Sequence, residues 1–159
     1  MNDARFEDAG EGPLRLTAQD AEGVNVLSAL LQDAVFPITE MTYAAKRRRF
    51  ALLLNRFRWE DRDAAETARR AYERVQSLLV FEDVLSVKST GIDRKDADTV
   101  LSLLSVTFTP GPDGTGRIDL LLAGDGTIAL QVETLDASLR DVSRPYIAPS
   151  GRVPTHEEE

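Results

Sequence analysis

The run KRRRFALLLNRFRWE, from Lys46 to Glu60, constrains the fold more than any other stretch of this chain. Four consecutive cations abut the longest strand-like apolar run, and Arg56 and Arg58 then interleave with Phe57 and Trp59. Taken as a strand, the run directs Phe50, Leu52 and Leu54 to one face and Leu53, Phe57 and Trp59 to the other. A strand apolar on both faces wants cover on both, which places it centrally in a sheet or between two layers. It is the expected spine of the core, with Phe50 and Phe57 as core aromatics. Trp59, at the strand end, fits core and surface equally.

The flanking chain supplies partners for such a strand. Leu14 to Thr17 reads as a short first strand. Asp20, or Thr17 in a capping box with Asp20, can start a helix whose apolar face is Val24, Leu27, Leu30, Leu31 and Ala34, ending near Val35. Ile38 to Ala44 alternates, and with the spine strand it forms a hairpin whose loop carries the cations. Residues 60 to 74 are rich in alanine and charge without a wide apolar stripe, which suits a short exposed helix or a mobile connector. Val75 to Lys88 alternates on both sides of Glu82 and Asp83, which marks a bulge or two abutting strands. Thr99 to Thr109 is a further strand with Val100, Leu104, Val106 and Phe108 on one face, followed by the turn PGPDGTG. Ile118, Leu120 and Leu122, then Ile128, Leu130 and Val132, alternate strictly around Gly124, Asp125 and Gly126, the pattern of a tight hairpin. Leu135, Leu139 and Val142 have the spacing of a short closing helix, although Leu135, Ala137 and Leu139 also fit a strand.

These elements describe an α+β domain over residues 14–146, built mainly from antiparallel strands in two packed layers or an open barrel. One amphipathic helix lies near the N-terminus and a short helix near the C-terminus. An acidic, disordered arm is expected over 1–13 and a frayed tail over 147–159.

Composition narrows the function classes. A chain of 159 residues without cysteine has no disulfide, thiolate metal site or cysteine nucleophile. Its apolar runs are far shorter than the roughly 20 residues that span a bilayer, and a cytoplasmic location is expected. The net charge of -8 argues against general affinity for nucleic acid or anionic membrane. Residues 46–74 reverse that sign, with Lys46, Arg47, Arg48, Arg49, Arg56, Arg58, Arg62, Arg69, Arg70 and Arg74 outnumbering five acids. The lone histidine, His156, stands near the chain end, where a catalytic triad or metal cage lacks fixed geometry. Asp93, Asp96 and Asp98 lack the glycine and glutamate spacing of an EF-hand. No catalytic, cofactor-binding or metal-binding residue is nominated, and the balance leans away from an enzyme.

The segments LQDAVFPITEMTYAAKRRRFALLLNRFRWE, VLSVKSTGIDR and LRDVSRPY resemble the domain-of-unknown-function 2948 family of bacterial proteins, over roughly residues 14 to 156. Its most recognisable parts here are Asn55 to Glu60 and Gly91 to Asp93. The resemblance implies a compact single domain and carries no activity or site residues. The expected function is that of a small interaction module binding a protein partner or a second copy of itself. Its candidate contacts are Lys46, Arg47, Arg48, Arg49, Arg56, Arg58 and Trp59, since arginine and tryptophan dominate interface hot spots. The alternative is single-stranded nucleic-acid binding by the same basic and aromatic side chains.

Overall fold

The computed structural model describes residues 12–93 and 95–147. The expected acidic arm, save Gly12 and Pro13, and the expected tail, save Ile147, lie outside those residues, as does His156.

The first strand, β1 (Arg15–Ala18), leads into helix α1 (Ala21–Leu31). Asp20 caps that helix by accepting a hydrogen bond from Gly23 N at 2.7 Å, which satisfies one of the free amides of the first turn. Val24, Leu27, Leu30 and Leu31 are buried along one stripe. The helix stops before Val35, because Asp33 takes a left-handed conformation (φ 65°) and the chain enters β2 (Val35–Pro37). One turn of 3₁₀ helix, Ile38–Glu40, offsets β2 from β3 (Met41–Ala44). A second, Ala45–Arg47, with Arg48 left-handed (φ 54°), turns the chain into β4 (Arg49–Phe57).

A 3₁₀ turn at Trp59–Asp61 and the short helix α2 (Arg62–Ala68) connect β4 to β5 (Glu73–Phe81). Asp83, at φ 56°, makes the corner into β6 (Val84–Thr90). β7 (Val100–Pro110), β8 (Gly116–Leu122) and β9 (Thr127–Val132) form a meander. β10 (Ala137–Asp141) and β11 (Tyr146–Ile147) complete the described chain.

All strand pairs are antiparallel, and the strands join into one eleven-stranded sheet in the order β1-β10-β5-β4-β2-β7-β8-β9-β6, with β3 added to β4 and β11 to β5. The sheet folds over on itself, since β6 at its far end returns to the β3–β4 corner, where Val84 N donates to Arg48 O at 2.7 Å. One core results. It joins Phe50, Leu52, Leu54, Leu79 and Phe81 from one half to Leu103, Val106, Ile118, Leu120, Ile128 and Leu130 from the other, with the buried stripe of α1 between them. Ser28 Oγ accepts from Val106 N at 2.9 Å and fixes the helix against β7.

The architecture corrects the expected α+β layout with a helix near each end. One continuous antiparallel sheet dominates, α1 is its one long helix among the described residues, and the second helix is short and lies mid-chain. Residues 137–141, expected in a closing helix, are strand β10 between β1 and β5. The four-residue spacing of Leu135 and Leu139 serves either period. Pairing with two strands decides for the extended form, with Ala137 and Leu139 inward. In β7 the expected inward face is split by a register shift between Leu103 and Ser105. Leu103 and Val106 are buried while Leu104 is exposed, as an extra residue in a bulge requires.

The β8–β9 hairpin follows its alternation, with Ile118 opposite Leu130 and Leu120 opposite Ile128 across a turn at Gly124 and Asp125, both left-handed. No helix among the described residues is long and apolar enough to cross a membrane.

At the start of β8, Gly116 lies under the ring of Phe108. A Cβ there would stand 2.4 Å from Phe108 Cε1 and 2.8 Å from Thr109 O. Gly116→Ala is expected to lower stability by about 1–3 kcal/mol, read as a drop in the urea midpoint at unchanged m-value.

Candidate functional site

The cations of the spine strand divide into two groups. Arg56 shares a face of β4 with Phe50, Leu52 and Leu54 and so points into the core, where it is fully buried. Its Nη1 and Nη2 donate to the two carboxylate oxygens of Glu60 at 2.8 and 2.7 Å, the bidentate geometry that a guanidinium fork favours. Nη2 also reaches Asp141 Oδ1 at 3.0 Å, and Nε reaches Ser77 Oγ at 3.0 Å. Ser77 in turn donates to Asp141 Oδ1 at 2.7 Å, and Leu14 N donates to Asp141 Oδ2 at 2.9 Å. The side chains of Arg56, Glu60 and Asp141 are 0%, 1% and 3% exposed, so these charges are sustained by one another rather than by water. Burial alone would drive the Arg56 guanidinium toward its neutral form. The hydrogen bonds and charge of Glu60, followed by Asp141, outweigh it and hold the pKa above the ordinary arginine value.

Arg58 continues the network outward. It pairs with Glu73 and lies 3.8 Å from Glu60 and 3.7 Å from Asp61. Asp61 takes a bidentate pair from Arg70 at 2.7 and 2.6 Å. That hydrogen bonding holds Asp61 below the usual carboxylate range, with Arg58 assisting and burial opposing. Trp59 is half-buried, its Nε1 donating to Gln32 O at 3.0 Å and its ring edge-on to Phe57 with centroids 4.6 Å apart. Arg56, Arg58 and Trp59 therefore bind the end of β4 to α1, β5, β10 and the α2 segment.

The second group lies at the other end of β4. Arg48 pairs with Glu133 and Arg49 with Glu82, both on the surface. Lys46 and Arg47, on the 3₁₀ turn between β3 and β4, are exposed and pair with no acid among the described residues. The sequence-derived set is thus split along the strand. Arg56, Arg58 and Trp59 gather at its buried end, and Lys46 to Arg49 form the exposed tip. Asp93 and Asp96 use their carboxylates to turn their own loop, accepting from Lys95 N and Asp98 N at 3.0 Å each.

Beside the tip runs a groove of about 240 Å³, lined by Met41, Thr42 and Tyr43 of β3, Phe50 of β4, Val87 and Ser89 of β6, and Ile128 of β9. Composition gave no sign of it, because its walls come from strands that meet only when the sheet folds over. The alternation of Tyr43 and Val87 within two separate strands was the available trace.

Arg56→Ala would leave two carboxylates buried without their counter-ion, and a loss of about 3–5 kcal/mol is expected from chemical unfolding. Ser77→Ala removes a neutral bridge and should cost about 1 kcal/mol. For Asp61, a pKa lowered by folding means stability that is full above the ordinary carboxylate range and is lost as pH falls through the folded value. The stability difference between the native chain and Asp61→Asn should accordingly be largest near neutrality and shrink in acid, as measured by urea unfolding over a pH series.

No curated protein and no solved structure matches the chain. A family model described as protein of unknown function (DUF2948) matches residues 14–156, nearly the whole sequence, and the chain belongs to that family.

Proposed function

We propose that the chain is a small cytoplasmic protein-binding module that docks an acidic partner surface through the tip of the β3–β4 hairpin. The carrying observation is the division of the cations. Arg48, Arg49, Arg56 and Arg58 are each held by acids of the chain itself, whereas Lys46 and Arg47 stay exposed without one among the described residues. Charges left in solvent steer encounter and select partners at little cost, because nothing is desolvated until contact. The same division supports a protein partner over nucleic acid. Two free cations at the tip of a chain of net charge -8 are few for phosphate contacts, and Trp59, bonded to Gln32 O and packed on Phe57, is no open stacking platform.

The test is capture of partners from nuclease-treated bacterial lysate by the native chain and by a Lys46→Glu, Arg47→Glu double variant. Both side chains are exposed, so the variant is expected to match the native urea midpoint. A defined protein retained by the native chain and lost with the variant supports the reading. Equal retention by both overturns the assignment to the tip.

A further inference from the structure

Two strands of the folded-over sheet keep a free edge next to the hairpin tip. Among the described residues β3 pairs with β4 alone and β6 with β9 alone. The two strands are tied at one end, where Val84 N donates to Arg48 O at 2.7 Å and Tyr43 Oη donates to Val84 O at 2.9 Å. Beyond that tie they are unpaired, and the groove lined by Met41, Tyr43, Val87, Ser89 and Ile128 lies between them.

We propose that this slot takes an extended, acidic segment of a partner protein, added as a strand on the free edge of β6. The inference rests on the hairpin tip being the docking point and names what the tip recognises. The backbone of an unpaired edge strand presents donors and acceptors at the spacing of another strand, the basis of recognition by strand addition. β6 carries a bulge between Val84 and Ser86, and its five residues from Ser86 to Thr90 keep regular register with β9, enough for a short ladder. Side chains alternate across such a ladder. One row of the incoming strand would enter the groove against Met41, Tyr43 and Val87, and the other would face out beside Leu85 and Lys88, both exposed.

Charge selects the occupant. The tip that abuts the start of β6 carries Lys46 and Arg47, and β6 carries Lys88, none of them paired with an acid among the described residues. The nearby acids Glu82 and Glu133 are held by Arg49 and Arg48, and Asp83 acts on Arg48. An incoming glutamate or aspartate row thus meets cations that have no competing partner among the described residues. A lysine on an edge strand also discourages pairing between two copies of that strand, which keeps the edge open for a segment of opposite charge.

The probe is a short, end-blocked, fluorescein-labelled peptide alternating valine with glutamate, titrated by anisotropy into the full chain. Two companions accompany it: the same peptide N-methylated on alternate backbone amides, and one with lysine in place of glutamate. Saturable binding is expected, weakened about tenfold or more by N-methylation, by the lysine exchange and by Lys46→Glu with Arg47→Glu, together with slowed amide hydrogen exchange in β6. Binding that N-methylation leaves unchanged overturns strand addition while keeping the tip as a charge contact. Binding of the lysine peptide as tightly as the glutamate peptide overturns the choice of an acidic occupant. No binding of any peptide overturns the slot itself, and the lysate capture then decides separately whether the tip docks a partner.

Discussion

A single buried guanidinium holds the two ends of the described chain to its middle. Arg56 lies inside the sheet, where an ion without a partner is costly by several kcal/mol, and its tolerance there depends on Glu60, Asp141 and Ser77 arriving together. Glu60 comes from the turn four residues on, Ser77 from the neighbouring strand β5, and Asp141 from β10, with Asp141 also holding the backbone of Leu14. Asp141 has no other cation among the described residues, and Glu60 has only Arg58, at 3.8 Å. The network therefore acts as a register lock. A slip of β4 against β5, or of β10 against β5, would leave at least one buried charge unmatched, a larger penalty than the loss of any one apolar contact nearby.

The exposed end of the same strand obeys the opposite rule. Ion pairs in water contribute little to stability, and the surface pairs of Arg48 and Arg49 serve mainly to place those side chains and cancel nearby acids. Among the described residues at this end, Lys46 and Arg47 remain uncancelled, at a tip next to the start of β6. The spine thus joins a buried, ion-paired end to a solvated tip.

Much of the fold was legible where period and turn chemistry agree. Phe50, Leu52 and Leu54, the α1 stripe with its Asp20 cap, and the hairpin at Gly124 and Asp125 each follow from spacing alone. Legibility failed where two periods fit the same residues, as at Leu135 to Val142, and where a bulge shifted the inward face of β7 at Leu104. Arg56 was named a candidate contact by residue type rather than by pattern. Its parity with Phe50, Leu52 and Leu54 already put it on the core face, and Glu60 stood in reach, but a charged side chain is usually placed at the surface. The groove between β3 and β6 depends on pairings far apart in sequence and left almost no local trace.

The strand order carries a kinetic consequence. Arg15 lies opposite Arg140, and β10 is inserted between β1 and β5, so strands from opposite ends of the described chain are neighbours in the sheet. Pairings of that separation close large loops before any burial compensates them, which slows folding relative to a meander. The β7–β8–β9 meander needs no such closure and is placed to form early. During synthesis, β5 must wait with one edge open until β10 emerges, so the nascent chain exposes Leu79 and Phe81 along an unpaired strand. A protein of this topology is most exposed to aggregation in the interval before β10 leaves the ribosome.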